Sequence, residues 1–132
     1  MPIKDKHILL VEDDVTVRAT VTAMLHQIGV GTVYAVGNGE EAMEFFQESQ
    51  DKIDLIICDW NMPKRTGFEF LLEVHAVAPE LPFLMVTARA DMESILAAKD
   101  HGVSGYIRKP FEPKELRTKI ASIFDAAAKA SA

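Results

Sequence analysis

Four consecutive apolar residues, Leu55-Ile56-Ile57-Cys58, run without a break into Asp59. A continuous apolar run of this length, rich in β-formers, marks a strand buried on both faces, as strands of a parallel sheet are. Pro63 and Gly67 then break the pattern. Asp59 is therefore predicted at the carboxyl end of a central strand, the edge at which open α/β sheets hold their ligands. A carboxylate there can be a nucleophile, a metal ligand or a turn residue. The rest of the chain has to decide between them.

The same grammar repeats along the sequence. Strands are predicted at His7–Val11, Thr32–Val36, Asp54–Cys58, Pro82–Val86 and Ser104–Arg108. Between them the apolar period changes from a run to a helical stripe. Val17, Val21, Met24, Leu25 and Ile28 share one stripe of a first helix, and Gly29 is placed to end it. Gly37-Asn38-Gly39 is a turn, and Glu40 and Glu41 open a second helix with Ala42, Phe45 and Phe46 facing inward. A third helix, about Phe68 to Val77, turns Phe68, Leu71, Leu72 and Val74 wholly or partly inward, and Pro79 and Pro82 stop it. A fourth, Asp91–His101, uses Ile95, Leu96 and Ala98. Pro113 starts a fifth, with Leu116, Ile120, Ile123 and Phe124 as its apolar face. The Ala-rich end, 126–132, reads as a helix tail or the start of a linker, so the main domain is placed at 1–125.

Five strands alternating with five helices call for a doubly wound parallel sheet covered on both faces. All strand-to-helix loops then lie on one edge. At 132 residues the chain is long enough for one domain with a real core. Its net charge of −6 speaks against direct nucleic-acid binding. No stretch approaches the length of a membrane span, and the single cysteine rules out an internal disulfide, so a reducing cytoplasm is the expected location. Cys58 reads as a small core residue. Trp60 is expected to be a partly exposed loop residue. His7, His26, His75 and His101 show no metal-ligand spacing and receive no role.

The loops on the shared edge carry the chemistry. The first brings Glu12, Asp13 and Asp14, the third Asp59, the fourth Thr87 and the fifth Lys109. Carboxylates brought together repel unless a cation is present. Hard oxygen ligands suit Mg²⁺, which keeps waters and is often completed by a phosphate oxygen. With Asp13 on the metal and Glu12 acting through water, Asp59 is free to attack phosphorus and form an acyl phosphate. Lys109 would neutralise charge and the Thr87 hydroxyl would add a hydrogen bond. Asp13 or Asp14 also suits capping of the first helix, and capping by Asp14 is compatible with the metal reading.

These pieces together resemble the receiver domain of two-component response regulators, in its CheY-like form. The matching stretches are Leu-Val-Glu-Asp-Asp at 10–14, Asp-Trp-Asn-Met-Pro at 59–63, Met-Val-Thr-Ala at 85–88 and Ser-Gly-Tyr-Ile-Arg-Lys-Pro-Phe at 104–111. The resemblance spans about Lys6 to Phe124. It implies a flavodoxin-like sheet of order 2-1-3-4-5. It implies Asp59 as phosphoacceptor, Glu12 and Asp13 as the acidic pair holding Mg²⁺, and Asn61 contributing its backbone carbonyl to the metal. Thr87 is implied as the switch hydroxyl, Lys109 as the phosphoryl-contacting lysine before a cis proline, and Tyr106 as the aromatic whose inward rotamer accompanies activation. The implied donor is a phosphohistidine on a histidine kinase or phosphotransfer protein. The implied output is a downstream protein or domain contacting the face formed by 91–101, 104–108 and 113–124. Such a domain is a signalling module and not an enzyme; it catalyses only its own aspartyl phosphorylation and dephosphorylation.

The match is not complete. Arg89 stands where chemotaxis receivers of enteric bacteria carry glutamate, and Asp91 and Met92 stand where they carry lysines. Binding to a flagellar switch is therefore in doubt. Ser104-Gly105 lacks the acidic residues of receivers that dimerise on transcription factors. Three rivals remain in view. A flavodoxin would place a phosphate loop where Glu12-Asp13-Asp14 repels it. A haloacid-dehalogenase-type phosphatase would need an aspartate at the position of Asn61. A longer regulator, with an enzymatic or DNA-binding output, would contain this chain as its receiver.

Overall fold

The computed structural model describes residues 3–62, 66–88 and 92–131. The expectations placed on Pro63, Arg89 and Asp91 lie outside them. Ten elements alternate in order: β1 His7–Val11, α1 Val15–Gln27, β2 Thr32–Val36, α2 Gly39–Ser49, β3 Leu55–Asp59, α3 Gly67–Val77, β4 Phe83–Thr87, α4 Met92–Asp100, β5 Gly105–Arg108 and α5 Pro113–Ser131. Short 3₁₀ turns precede β1 and β3. The sheet order is β2-β1-β3-β4-β5 and every pairing is parallel. This is the doubly wound fold that the sequence predicts.

The first three helices each start on a polar side chain that accepts an otherwise unpaired amide. Asp14 accepts from Val17 N–H, and Asn38 accepts from Glu41 N–H. Thr66 and Glu69 cap each other reciprocally at α3. Gly29, at φ 105°, supplies the left-handed turn after α1 that a side chain would resist.

Alternate residues of the strands point into two apolar layers. On one side Leu9, Val11, Ile56, Cys58, Phe83 and Met85 meet Ala42 and Phe46 of α2, Phe70, Leu71 and Val74 of α3, and Ala98 of α4. On the other, Ile8, Leu10, Leu55, Ile57, Leu84 and Ile107 meet Val21 and Leu25 of α1 and Leu116, Ile120 and Ile123 of α5. Each fully buried aliphatic or aromatic side chain contributes roughly 1.5–3 kcal/mol. β3 and β4 are buried along their whole length, as their unbroken apolar runs require.

Three expectations fail. Leu72 is 41% exposed and Leu96 is 53% exposed. The buried residues of α3 are Gly67, Phe70, Leu71 and Val74, and at 100° per residue Leu72 lies about 150° from their centre. Leu96 is similarly displaced from Ile95 and Ala98. Trp60 is buried at 8% exposure, not a half-open loop residue. Its ring meets Phe68 edge-on at 5.8 Å. Gly67 makes this possible, since a Cβ there would lie 2.7 Å from the Asp59 carbonyl oxygen and 2.9 Å from Trp60 Cα. The 126–131 stretch continues α5 as helix.

Candidate functional site

The strands end in register, so their last side chains share one rim. Asp59 is the last residue of β3 and pairs with Val86; Thr87 is the last of β4 and pairs with Arg108. Glu12 extends β1 by one residue, because its N–H donates to the Val36 carbonyl at 3.1 Å. Lys109 extends β5 likewise, donating its N–H to the Thr87 carbonyl at 2.8 Å. The Lys109–Pro110 peptide is cis.

Glu12, Asp59 and Thr87 are the buried polar residues of the described chain. Lys109 Nζ lies 2.5 Å from Glu12 Oε1 and 3.2 Å from Asp59 Oδ2. The other oxygen of Asp59 accepts the Asn61 N–H at 3.2 Å. Glu12, Asp13 and Asp59 each bring a carboxylate oxygen within 4.8 Å of the others. Asp13 and Asn61 are exposed, so the cluster opens to solvent on their side. Glu12 Oε2 is buried and has no hydrogen-bond partner.

One lysine thus answers two buried carboxylates and leaves one oxygen with nothing. The Glu12 carboxyl is accordingly pushed up to about 7 from an ordinary 4.5, by burial first and then by the hydrogen bond and negative charge of Asp59, against the pull of Lys109. The Lys109 ammonium is raised. Burial, the largest single influence, works against this, but the Glu12 hydrogen bond and both carboxylates outweigh it. Burial, with the charges of Asp59 and Glu12 behind it, raises the Cys58 thiol well above its usual range. That residue is a buried thiol, as its place in the apolar run implies.

An orphaned, desolvated carboxylate oxygen next to two more carboxylates fits a small divalent cation. Glu12, Asp13 and Asp59 are the residues that would hold it. None of the four histidines joins a metal-binding group among the described residues. His7 Nδ1 meets the Tyr34 hydroxyl at 2.9 Å, and His75 sits between the carbonyls of Leu81 and His101.

Tyr106 stands apart from this cluster. It pairs with Met85 in the sheet, is half-buried, and has the Lys119 ammonium 5.4 Å from its ring centre. Arg18 is one contributor that the sequence pattern does not single out. It lies on α1 and donates from Nη1 to the Glu12 carbonyl at 3.0 Å. Nothing local in the sequence marks it, because a lone arginine off an apolar stripe looks like any solvated helix residue.

Residues 8–121 match the family described as the response regulator receiver domain. The chain is 35% identical over 124 residues to the chemotaxis protein CheY-3 of Vibrio cholerae, covering 92% of this chain and 94% of that protein. It is 36% identical over 120 residues to the chemotaxis protein CheY of Pseudomonas aeruginosa, covering 89% and 95%. The solved structure of Vibrio cholerae CheY4 superposes with a TM-score of 0.83 at 32% identity, over 89% of this chain and 98% of that one. A receiver domain protein from Clostridium thermocellum gives a TM-score of 0.85 at 25% identity, over 96% and 97%. Motif order, strand order and these likenesses agree, and the chain belongs to the response-regulator receiver family, in its CheY-like form.

Proposed function

We propose that the chain accepts a phosphoryl group on Asp59, from a histidine kinase or phosphotransfer protein, and signals the change to a protein partner. The observation that carries this reading is the Asp59 carboxylate held at 3.2 Å from Lys109 within a trio of acids that includes a buried, unpartnered oxygen. Such a site is short of positive charge, and phosphoryl transfer depends chiefly on positioning and charge neutralisation.

Asp59 attacks phosphorus through a carboxylate oxygen. A new O–P bond forms as the P–N bond of the donor phosphohistidine breaks, and the imidazole nitrogen keeps that electron pair. Mg²⁺, held by Glu12, Asp13, Asp59 and the Asn61 carbonyl, would supply charge neutralisation at the phosphoryl oxygens. Lys109 orients one of those oxygens from the β5 side. The Thr87 hydroxyl donates to another, which draws the end of β4 toward Asp59. Tyr106, two strand positions before Arg108 on the neighbouring edge, follows by turning inward. The face presented by α4, β5 and α5 then differs between the two states, and a partner binding one of them better shifts the balance. Asn61 in place of a second acid leaves the site without the acid–base group that a phosphatase of this nucleophile class needs.

The test is the intact mass of the protein after incubation with acetyl phosphate and Mg²⁺, beside Asp59→Asn and an EDTA control. One added phosphoryl group, missing in both controls, is the expected result. Addition to the Asp59→Asn protein, or none to any protein even with a cognate kinase present, would remove Asp59 from the role.

A further inference from the structure

Both peptide groups that flank the Glu12 side chain are tied down, and by different elements. Its N–H is held by the Val36 carbonyl at the end of β2, at 3.1 Å. Its carbonyl is held by Arg18 Nη1 from the second turn of α1, at 3.0 Å. The two anchors also lie close together. Gly37 follows Val36, and a Cβ on Gly37 would come to 2.7 Å from the same Arg18 Nη1. The Gly37 amide is in turn held by Glu41 Oε2 at 2.8 Å. The guanidinium therefore lies against the β2–α2 turn at Gly37, where an added Cβ would push it aside. β2 contributes no side chain to the acidic site, yet its end fixes the residue that does.

We infer that Arg18 is a positioning residue for the cation site: by holding the Glu12 carbonyl against β2 it aims the Glu12 carboxylate at the place a divalent ion would occupy. This rests on the reading of that cluster as a Mg²⁺ site. A hydrogen-bond partner that orients a metal ligand commonly matters to metal affinity by roughly tenfold or more. The sign of the effect is diagnostic. If Arg18 acted only through its charge, it would repel the ion, and its removal would tighten Mg²⁺ binding. Acting by position, its removal loosens it.

The experiment measures Mg²⁺ affinity by calorimetry, with the emission of Trp60, the neighbour of Asp59, as a second signal. Four proteins are compared: wild type, Arg18→Ala, Arg18→Lys and Gly37→Ala. Arg18→Ala is expected to weaken Mg²⁺ binding roughly tenfold. Gly37→Ala keeps every charge and displaces the guanidinium, so it should weaken binding in the same direction. Arg18→Lys, which retains a donor of similar reach, should recover most of the loss. Wild-type or tighter affinity in Arg18→Ala, or wild-type affinity in Gly37→Ala, overturns the inference while leaving the proposed function intact. Absence of Mg²⁺ binding by the wild type overturns both.

Discussion

The two edges of the sheet handle polar groups in opposite ways. At the amino-terminal edge, neighbouring strands are clasped by reciprocal pairs. His7 N–H donates to Asp54 Oδ2 at 2.7 Å while Asp54 N–H donates to the His7 carbonyl at 2.8 Å. Phe83 N–H donates to Ser104 Oγ at 3.1 Å while Ser104 N–H returns to the Phe83 carbonyl at 2.8 Å. At the carboxyl-terminal edge the same strands end on Glu12, Asp59, Thr87 and Lys109, with more negative charge than the lysine balances. Asp54 and Asp59 lie at opposite ends of the same segment. The first carboxylate closes a backbone ring and is a structural element. The second shares one ammonium with a competitor, which on the proposed function leaves it available to react. Incomplete satisfaction, not the presence of a carboxylate, separates the working edge from the holding edge.

The sharpest way to break this contrast is to neutralise each aspartate in turn. Asp59→Asn should abolish phosphoryl acceptance, while Asp54→Asn should accept a phosphoryl group as the wild type does; intact mass reads both. Next in size, Lys109→Ala strands two carboxylates and should destabilise the metal-free protein by about 2–3 kcal/mol in urea unfolding. Added Mg²⁺ should return part of that loss, because it binds only the folded site. A Lys109→Ala protein as stable as wild type without metal would mean the two acids do not compete for one cation.

Glu12 makes the contrast visible in pH. Its folded value of about 7 lies above the ordinary 4.5, so between the two the folded protein holds a proton that the unfolded chain has released. This contribution to stability is complete below 4.5 and is lost as pH rises through about 7. The stability difference between Glu12→Gln and wild type should therefore move in favour of Gln across that window in the metal-free protein. A difference that stays flat would contradict the assignment. At the holding edge the effects are smaller. Asp54→Ala should cost about 1–2 kcal/mol through the charged hydrogen bond it removes. Ser104→Ala, at a more exposed clasp, should cost about 0.5–1 kcal/mol. Neither should alter Mg²⁺ affinity.

Much of this is legible in the sequence, for definite reasons. The strands are apolar runs because they are buried on both sides, and each run stops at the polar residue of the rim. The strand order follows from the family likeness, and with it the meeting of Glu12, Asp13, Asp59 and Lys109. What the sequence hides is set by contacts between distant segments. Trp60 follows an aspartate in a loop and looks exposed until Gly67 lets α3 close over it. Leu72 and Leu96 are apolar neighbours of buried residues, and only the helix rotation turns them out. Asp54 reads as the start of a strand, with nothing to show that its side chain is the clasp. Arg18 is silent because what it touches is a backbone oxygen, which every residue has.

The Lys109–Glu12 pair spans 97 positions of the chain. During synthesis the acidic residues of the first strand emerge long before the lysine that answers them, and a domain generally folds as a unit. Without β5 beside β4, Glu12 and Asp59 lack the ammonium that both of them contact. The fifth strand therefore does two things on arrival: it covers the open edge and it brings the missing charge. Completion of the fold and readiness of the pocket are one event, and a chain that stops short of Lys109 lacks both.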